Sequence, residues 1–285
     1  MVIPGIIFML VCVLTGYSMS GGQIGAILHP AEYITILGAA AGTAVIMAPM
    51  KILKKIIASV IGALKGGHKL GKGAYMELLT CLFQLFSLAR KQGLLALESH
   101  VSDPHKSDIF SKYPKLMKDH HALEFLVESL RLIIDGSVQA DELGQLLDTS
   151  LETHHAESHM PINVMTRVGD GLPGIGIVGA VLGIIITMGA IDGPPSEVGH
   201  KVAAALVGTF LGVFFAYCLI NPIIVSIEQE HAEEEKFLEV IKVGLLSFVG
   251  GATPGTAIEY ARRSVFSFDR PSAEEIDKAC KAARG

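Results

Sequence analysis

Two apolar stretches decide how this chain folds: GLPGIGIVGAVLGIIITMGAI (Gly171–Ile191) and VAAALVGTFLGVFFAYCLINPIIVSI (Val202–Ile227). The first holds no ionisable side chain over 21 residues between Asp170 and Asp192, and the second no charge over 26 residues between Lys201 and Glu228. About 20 apolar residues cross a bilayer as a helix, so the first matches the membrane and the second crosses with tilt or projects beyond it. The link holds Asp192, Gly193, Pro194, Pro195, Ser196, Glu197, Gly199 and His200. That is turn chemistry with water-seeking charge, and it predicts a helical hairpin.

Both spans carry features that a passive anchor does not need. Pro173 opens the first and Pro222 falls near the end of the second, each removing a backbone donor. Gly171, Gly174, Gly176, Gly179 and Gly183 crowd the first, and Gly179 with Gly183 makes a GxxxG step. Small residues let helix backbones approach closely in lipid, so this segment is expected to pack inside protein. Gly174, Gly176 and Gly179 also match GxGxxG, but no preceding strand and no later ribose-binding acid accompany them. Dinucleotide binding is therefore rejected.

The whole chain has the same character. Half of its 285 residues are hydrophobic, 18% are charged and tryptophan is absent; the mean hydropathy is +0.49. This is a membrane protein with sizeable aqueous parts. A formal net charge of -5 argues against nucleic acid as a partner. Cys12, Cys81, Cys218 and Cys280 are scattered and form neither a disulfide framework nor a zinc spacing.

From the N-terminus, residues 1–31 contain no Lys, Arg, Asp or Glu, and Val2–Tyr17 is long enough to span or nearly span. It lacks the basic start of a secretory signal and is expected to be retained. An uncharged turn over Ser18–Pro30 leads to a second span, Ala31–Met50, with Glu32 at its start. Next, Lys51, Lys54, Lys55, Lys65, Lys69 and Lys72 precede any acid until Glu77, which places this side in the cytoplasm. The expected fold is all-α, a polytopic protein with four transmembrane helices and both termini inside. It comprises a first hairpin (1–50), a helical cytoplasmic region (51–170), a second hairpin lining any ion path (171–227) and a helical cytoplasmic tail (228–285).

Within the cytoplasmic region, apolar residues at mixed spacings of three and four predict helices over Tyr75–Val101 and His121–Asp135, the latter capped by Gly136. A third over Asp141–His159 is expected to end or kink at Pro161, shortly before the span. Phe237 to Leu246 should extend the fourth span into water, and Ser272 with Glu275 forms a capping box.

Chemistry of the enzymatic kind is not in evidence. No nucleophile with its base and orienting acid stands out, and no phosphate loop ends in GK[ST]. His154, His155 and His159 lie beside Glu152 and Glu157 but do not form HExxH, and they suit a solvated helix face. No acid lies deep inside a span, although an ion path usually needs an intramembrane carboxylate. If the chain conducts ions, another polypeptide is expected to supply that group, with Thr187 and Thr209 offering hydroxyls.

The run Ala205-Leu206-Val207-Gly208-Thr209-Phe210-Leu211-Gly212-Val213-Phe214, with Pro222 beyond it, resembles the signature of the MotA family of flagellar stators. That family is grouped with the TolQ and ExbB energisers. Val168 to Pro173 and Ala89 to Glu98 are similar to further family segments. The resemblance implies a pentamer surrounding two single-span MotB-type helices whose aspartate carries the ion, with flow turned into torque on the rotor protein FliG. It implies inner-membrane location and no cofactor, and it puts rotor contacts on Arg90 and Glu98. It also puts a conformational role on Pro173 and Pro222, and the ion path at Thr209. Sodium-driven relatives tend to carry threonine where this chain has Ala180, and a hydroxyl serves a hard cation better than a methyl, so the expected ion is H+, with Na+ the alternative. One charge crossing roughly 150 mV releases about 3.5 kcal/mol, enough for mechanical work. Arg90 and Glu98, in one helix, would lie two turns apart. The competing reading is a TolQ or ExbB-like energiser, whose relatives usually have three spans; a secondary transporter lacks support because there is no repeated half.

Overall fold

Pro49 sets the first boundary. Ahead of it Ala48 is extended (φ -136, ψ 140), as a residue preceding proline prefers, so the second helix stops short of Met50 and a new one starts there. In the computed structural model, which describes residues 1–67, 70–136 and 138–283, the chain is helical and contains no strand among the described residues. By packing it divides into two units, Met1–His68 with Glu157–Glu230 and Lys69–Ala156 with His231–Gly285. These differ from the four segments expected from membrane side because two long helices take part in both units.

The first unit opens with α1 (Val2–Met19), a short 3-10 turn at Ile24–Ala26, and α2 (Pro30–Met47). The amphipathic helix α3 (Met50–Lys65) follows and ends at Gly66 in the left-handed region (φ 107), where a side chain would be strained. The sequence reading left this stretch unassigned. Its lysines Lys51, Lys54 and Lys55 alternate with apolar residues that pack Ile56, Val60 and Ala63 against Ile162, Met165, Ile224 and Ile227. A basic amphipathic helix of this kind suits a membrane surface. Lys69 of the lysine run lies outside the described residues.

Two helices make the second hairpin. α8 runs unbroken from Ala140 to Met188, through Pro161 and Pro173. The helix does not end at Pro161: a proline removes one hydrogen bond and crowds one carbonyl, and the remaining bonds carry the helix across it. α9 (Pro195–Phe214) continues through a π-helical turn at Phe215–Ile220 into α10 (Asn221–Val249). Among the described residues four helices are long and apolar enough to cross a membrane. Between α2, α8 and α9, Ile36, Ala40, Leu172, Leu211 and Ala216 form a small core, edged by Tyr33 against Phe215 at 6.0 Å between ring centres.

The second unit is built on α4 (Lys72–Gln92). The helix expected over Tyr75–Val101 is interrupted. Gly93 adopts φ 88, Leu94–Leu97 form a 3-10 turn, and α5 (Glu98–Ser102) starts afresh. After α6 (Pro114–Lys118), α7 (His120–Asp135) starts at Asp119, whose carboxylate accepts from the Ala122 amide, and ends at Gly136 (φ 64), as expected. Leu78, Leu82, Phe86, Leu126, Leu130, Ile241 and Leu245 are all within 1% of complete burial. Phe86 stacks on Phe248 at 4.4 Å, and Tyr75 meets Phe237 at 5.2 Å. α11 (Pro254–Ser264) and α12 (Ala273–Ala282) close the core, and the capping box between Ser272 and Glu275 is formed.

Candidate functional site

The seam between α8 and α9 is made of backbone. A Cβ on Gly212 would sit 2.6 Å from the Leu172 carbonyl oxygen, one on Gly176 2.8 Å from that of Gly208, and one on Gly183 2.6 Å from the Ala205 Cβ. Glycine and alanine at these positions therefore decide how closely the helices meet, the packing expected of the GxxxG step.

The seam brings the four hairpin residues singled out in the sequence to two levels. At one, a Cβ on Gly208 would lie 3.2 Å from the Ala180 amide nitrogen, so Ala180 and Thr209, the residue that follows Gly208, stand at about the same height. At the other, Pro173 leaves the Gly169 carbonyl without its helical donor, and Gly169 packs against Ile220 and Asn221, immediately before Pro222. The π-helical turn Phe215–Ile220 ends at that point. Two weakened places in helical hydrogen bonding thus face one another, the arrangement from which a hairpin can bend. Thr187, the other hydroxyl, is buried and donates to the Gly183 carbonyl at 2.8 Å, which ties it to its own helix.

One acid belongs to this site, and the sequence placed it too shallow. Glu32 starts α2, but its Oε2 is buried without a hydrogen-bond partner, 2.9 Å from where a Cβ on Gly179 would be and 2.7 Å from one on Gly208. Gly208 lies about 9 Å along α9 from Val202, where the uncharged run begins, at 1.5 Å per residue, so Glu32, though at the entrance of its own helix, reaches past the entrance of its neighbour. Position along α2 gave no hint of this depth, because depth depends on how far the neighbouring hairpin extends past the start of α2. At the hairpin's turn, an open cleft of about 600 Å³ is lined by His29, Glu197, His200, Lys201 and Ala204 among others.

In the second unit Arg90 is exposed in the last turn of α4 and Glu98 is exposed at the start of α5. They do not share a helix, as the sequence reading supposed, since Gly93 turns the chain between them. Leu97 is anchored in the core, while Leu95 is 72% exposed between the two charges. Among the described residues neither Arg90 nor Glu98 enters an ion pair with the rest of the chain. The histidines expected on a solvated face divide: His155 pairs with Glu235 at 2.6 Å, and His154 is half-buried edge-on to His121 at 5.7 Å. Burial, and then His121, push the His154 pKa down.

Residues 3–93 match the family described as Motility protein A N-terminal, and residues 117–240 match the MotA/TolQ/ExbB proton channel family. Motility protein A of Escherichia coli (strain K12) is 37% identical over 284 residues, covering 100% of this chain and 96% of its own. The flagellar MotAB stator complex from Bacillus subtilis is similar with a TM-score of 0.75 and 26% identity, covering 97% of this chain and 98% of that one. The C. jejuni MotAB structure has the same fold, with a TM-score of 0.79 at 21% identity over 95% of this chain and 98% of that one. With that identity over its whole length, the chain belongs to the motility protein A family, within the MotA/TolQ/ExbB proton channel proteins.

Proposed function

We propose that this chain is the membrane subunit of a flagellar stator, which conducts ions across the bacterial inner membrane and turns the flow into torque. The observation that carries this reading is the full-length match to motility protein A, which takes in the α8–α9 hairpin and the second unit together. In this reading the chain spans the membrane four times with both termini inside. Five copies surround two copies of a MotB-type, peptidoglycan-gripping subunit. A TolQ or ExbB-like role is disfavoured because the additional N-terminal apolar helix is present and residues 3–93 match the motility branch.

The site supplies a part for each step. Ala180 and Thr209 border the ion path, and the methyl at Ala180 favours H+ over Na+. Pro173 and Pro222 let the hairpin bend as an ion arrives, and Arg90 and Glu98 transmit the movement to FliG. Exposed charge pairs are worth on the order of 1 kcal/mol or less, which suits contacts that form and break at each step.

The test is a strain lacking this chain. It should build filaments and fail to swim, and the wild-type chain should restore swimming equally with and without sodium. A doubly reversed chain, Arg90→Glu with Glu98→Lys, should reach the membrane in normal amount and fail to restore torque. Full swimming by the doubly reversed chain would remove the rotor contact from these residues.

A further inference from the structure

The carboxylate of Glu32 and the cleft beyond it have no place in the reading above. Glu32 Oε2 sits in a slot that exists only because positions 179 and 208 are glycine, and no hydrogen bond satisfies it. An unpaired charge out of water is costly, so such a carboxylate in a membrane-spanning bundle holds a proton, a cation or a partner. Among the described residues no cationic side chain is available inside the bundle: Gly171–Ile191 and Val202–Ile227 carry none, and Tyr33, the next residue on α2, packs on Phe215. The charged and titratable groups that face this level are those of the cleft. They are His29 ahead of α2 and Glu197, His200 and Lys201 on α9, with Glu197 and Lys201 paired at 2.9 Å.

The cleft and the slot are consecutive turns of the same two helices. His29 and Glu32 are one turn apart at the start of α2, and Ala204 and Gly208 one turn apart on α9, rises of about 4.5 Å and about 6 Å. A cation entering the cleft is therefore one helical turn from the carboxylate, and Glu32 in turn lies against Gly179 and Gly208, the residues that precede Ala180 and Thr209 in the chain. We propose that Glu32 is a cation station belonging to this chain, loaded from outside through the cleft lined by His29, Glu197, His200 and Lys201. It rests on the ion-conducting reading. It adds to it that the ion is first taken up here, before any group of a partner subunit.

The experiment uses membranes holding this chain with its native partner. Dicyclohexylcarbodiimide modifies protonated carboxyl groups in apolar surroundings, and mass spectrometry reads the adduct on Glu32. A proton station gives an adduct that falls about tenfold per pH unit once the group ionises, with no effect of sodium. A sodium station gives an adduct that sodium suppresses at fixed pH. No adduct at any pH, or one indifferent to both pH and sodium, overturns the proposal. As a second readout, Glu32→Gln keeps the shape and should slow swimming severalfold at normal membrane levels, with Glu32→Asp recovering part of the speed. Full speed for Glu32→Gln from acid to alkaline medium also overturns it. Modifying Ala204→Cys from outside with a charged thiol reagent should slow Glu32 labelling, and unchanged labelling removes the cleft as the route. If deleting the whole chain leaves swimming intact, the stator reading fails, and the adduct still decides whether Glu32 takes up a cation.

Discussion

The two units solve the same problem of apolar surface in opposite ways. In the second, α4 alone buries eleven residues, and its aromatic rings are matched by others from α10. In the first, α1 buries none, and Phe8, Ile34, Ile46 and Leu206 face outward although nothing polar shields them. A water-exposed protein with such a surface would aggregate, whereas a lipid environment accommodates it. The lesson is that the second unit carries one large core, while the first is held by the glycine seam and two small apolar clusters.

The largest effect that tests this contrast comes from the second unit's core. Phe86→Ala removes a fully buried ring that stacks on Phe248, and should cost about 3–5 kcal/mol, seen as loss of the chain from membranes and a lower melting temperature in detergent. Ile185→Ala, at a side chain 61% exposed in the first unit, should stay within about 0.5 kcal/mol. Equal losses for the two would end the comparison.

A smaller effect probes the seam. Gly212→Ala drives a methyl onto the Leu172 carbonyl and the Gly176 backbone, neither of which can yield as a side-chain tip would. Overpacking should cost about 1–3 kcal/mol and, in the reading proposed above where the hairpin bends here, slow swimming more than it lowers chain levels. Gly174→Ala, in the same helix with open space around it, should be neutral or slightly stabilising. If both substitutions are silent, the glycines do not govern the seam.

Much of this could be read from the sequence because lipid demands long uncharged runs and helix ends demand particular residues. The four apolar helices, the cap at Gly136 and the box at Ser272 and Glu275 all follow from such local rules. What could not be read depends on neighbours. Pro161 looks like a helix end, yet α8 runs on through it. Pro222 announces a disturbance without revealing that it takes the form of a π turn one step earlier. Arg90 and Glu98 were found by resemblance, but Gly93 was not read as the place where their common helix ends. Glu32 was visible as an acid and invisible as one lodged against Gly179 and Gly208, since that is a property of how three helices cross.

The smallest expected effect is the response of each unit to acid. In the second unit Glu259 is held at about 2 by hydrogen bonds from Arg262 and then Arg263, and Glu275 at about 2 by Lys72 at 2.8 Å and then the Ser272 amide, against an ordinary 4.5. The folded chain binds these protons less readily than the unfolded one, so their contribution is complete above about 4.5 and is lost as pH falls toward about 2. His154, pushed down by burial and His121, has the same sign at higher pH: its folded form favours the neutral ring, so stability present above about 6.5 declines as pH drops below it. Hydrogen exchange across this range should therefore quicken first around His121 and His154 and later in α11 and α12. Lys72→Met should remove much of the change in α12 because the partner that lowers Glu275 is gone. The seam from Gly171 to Phe214 is held by backbone contact between glycines, so its exchange should stay flat over the same acid range. A seam that loosened in step with α12 would mean that the first unit borrows its stability from the second.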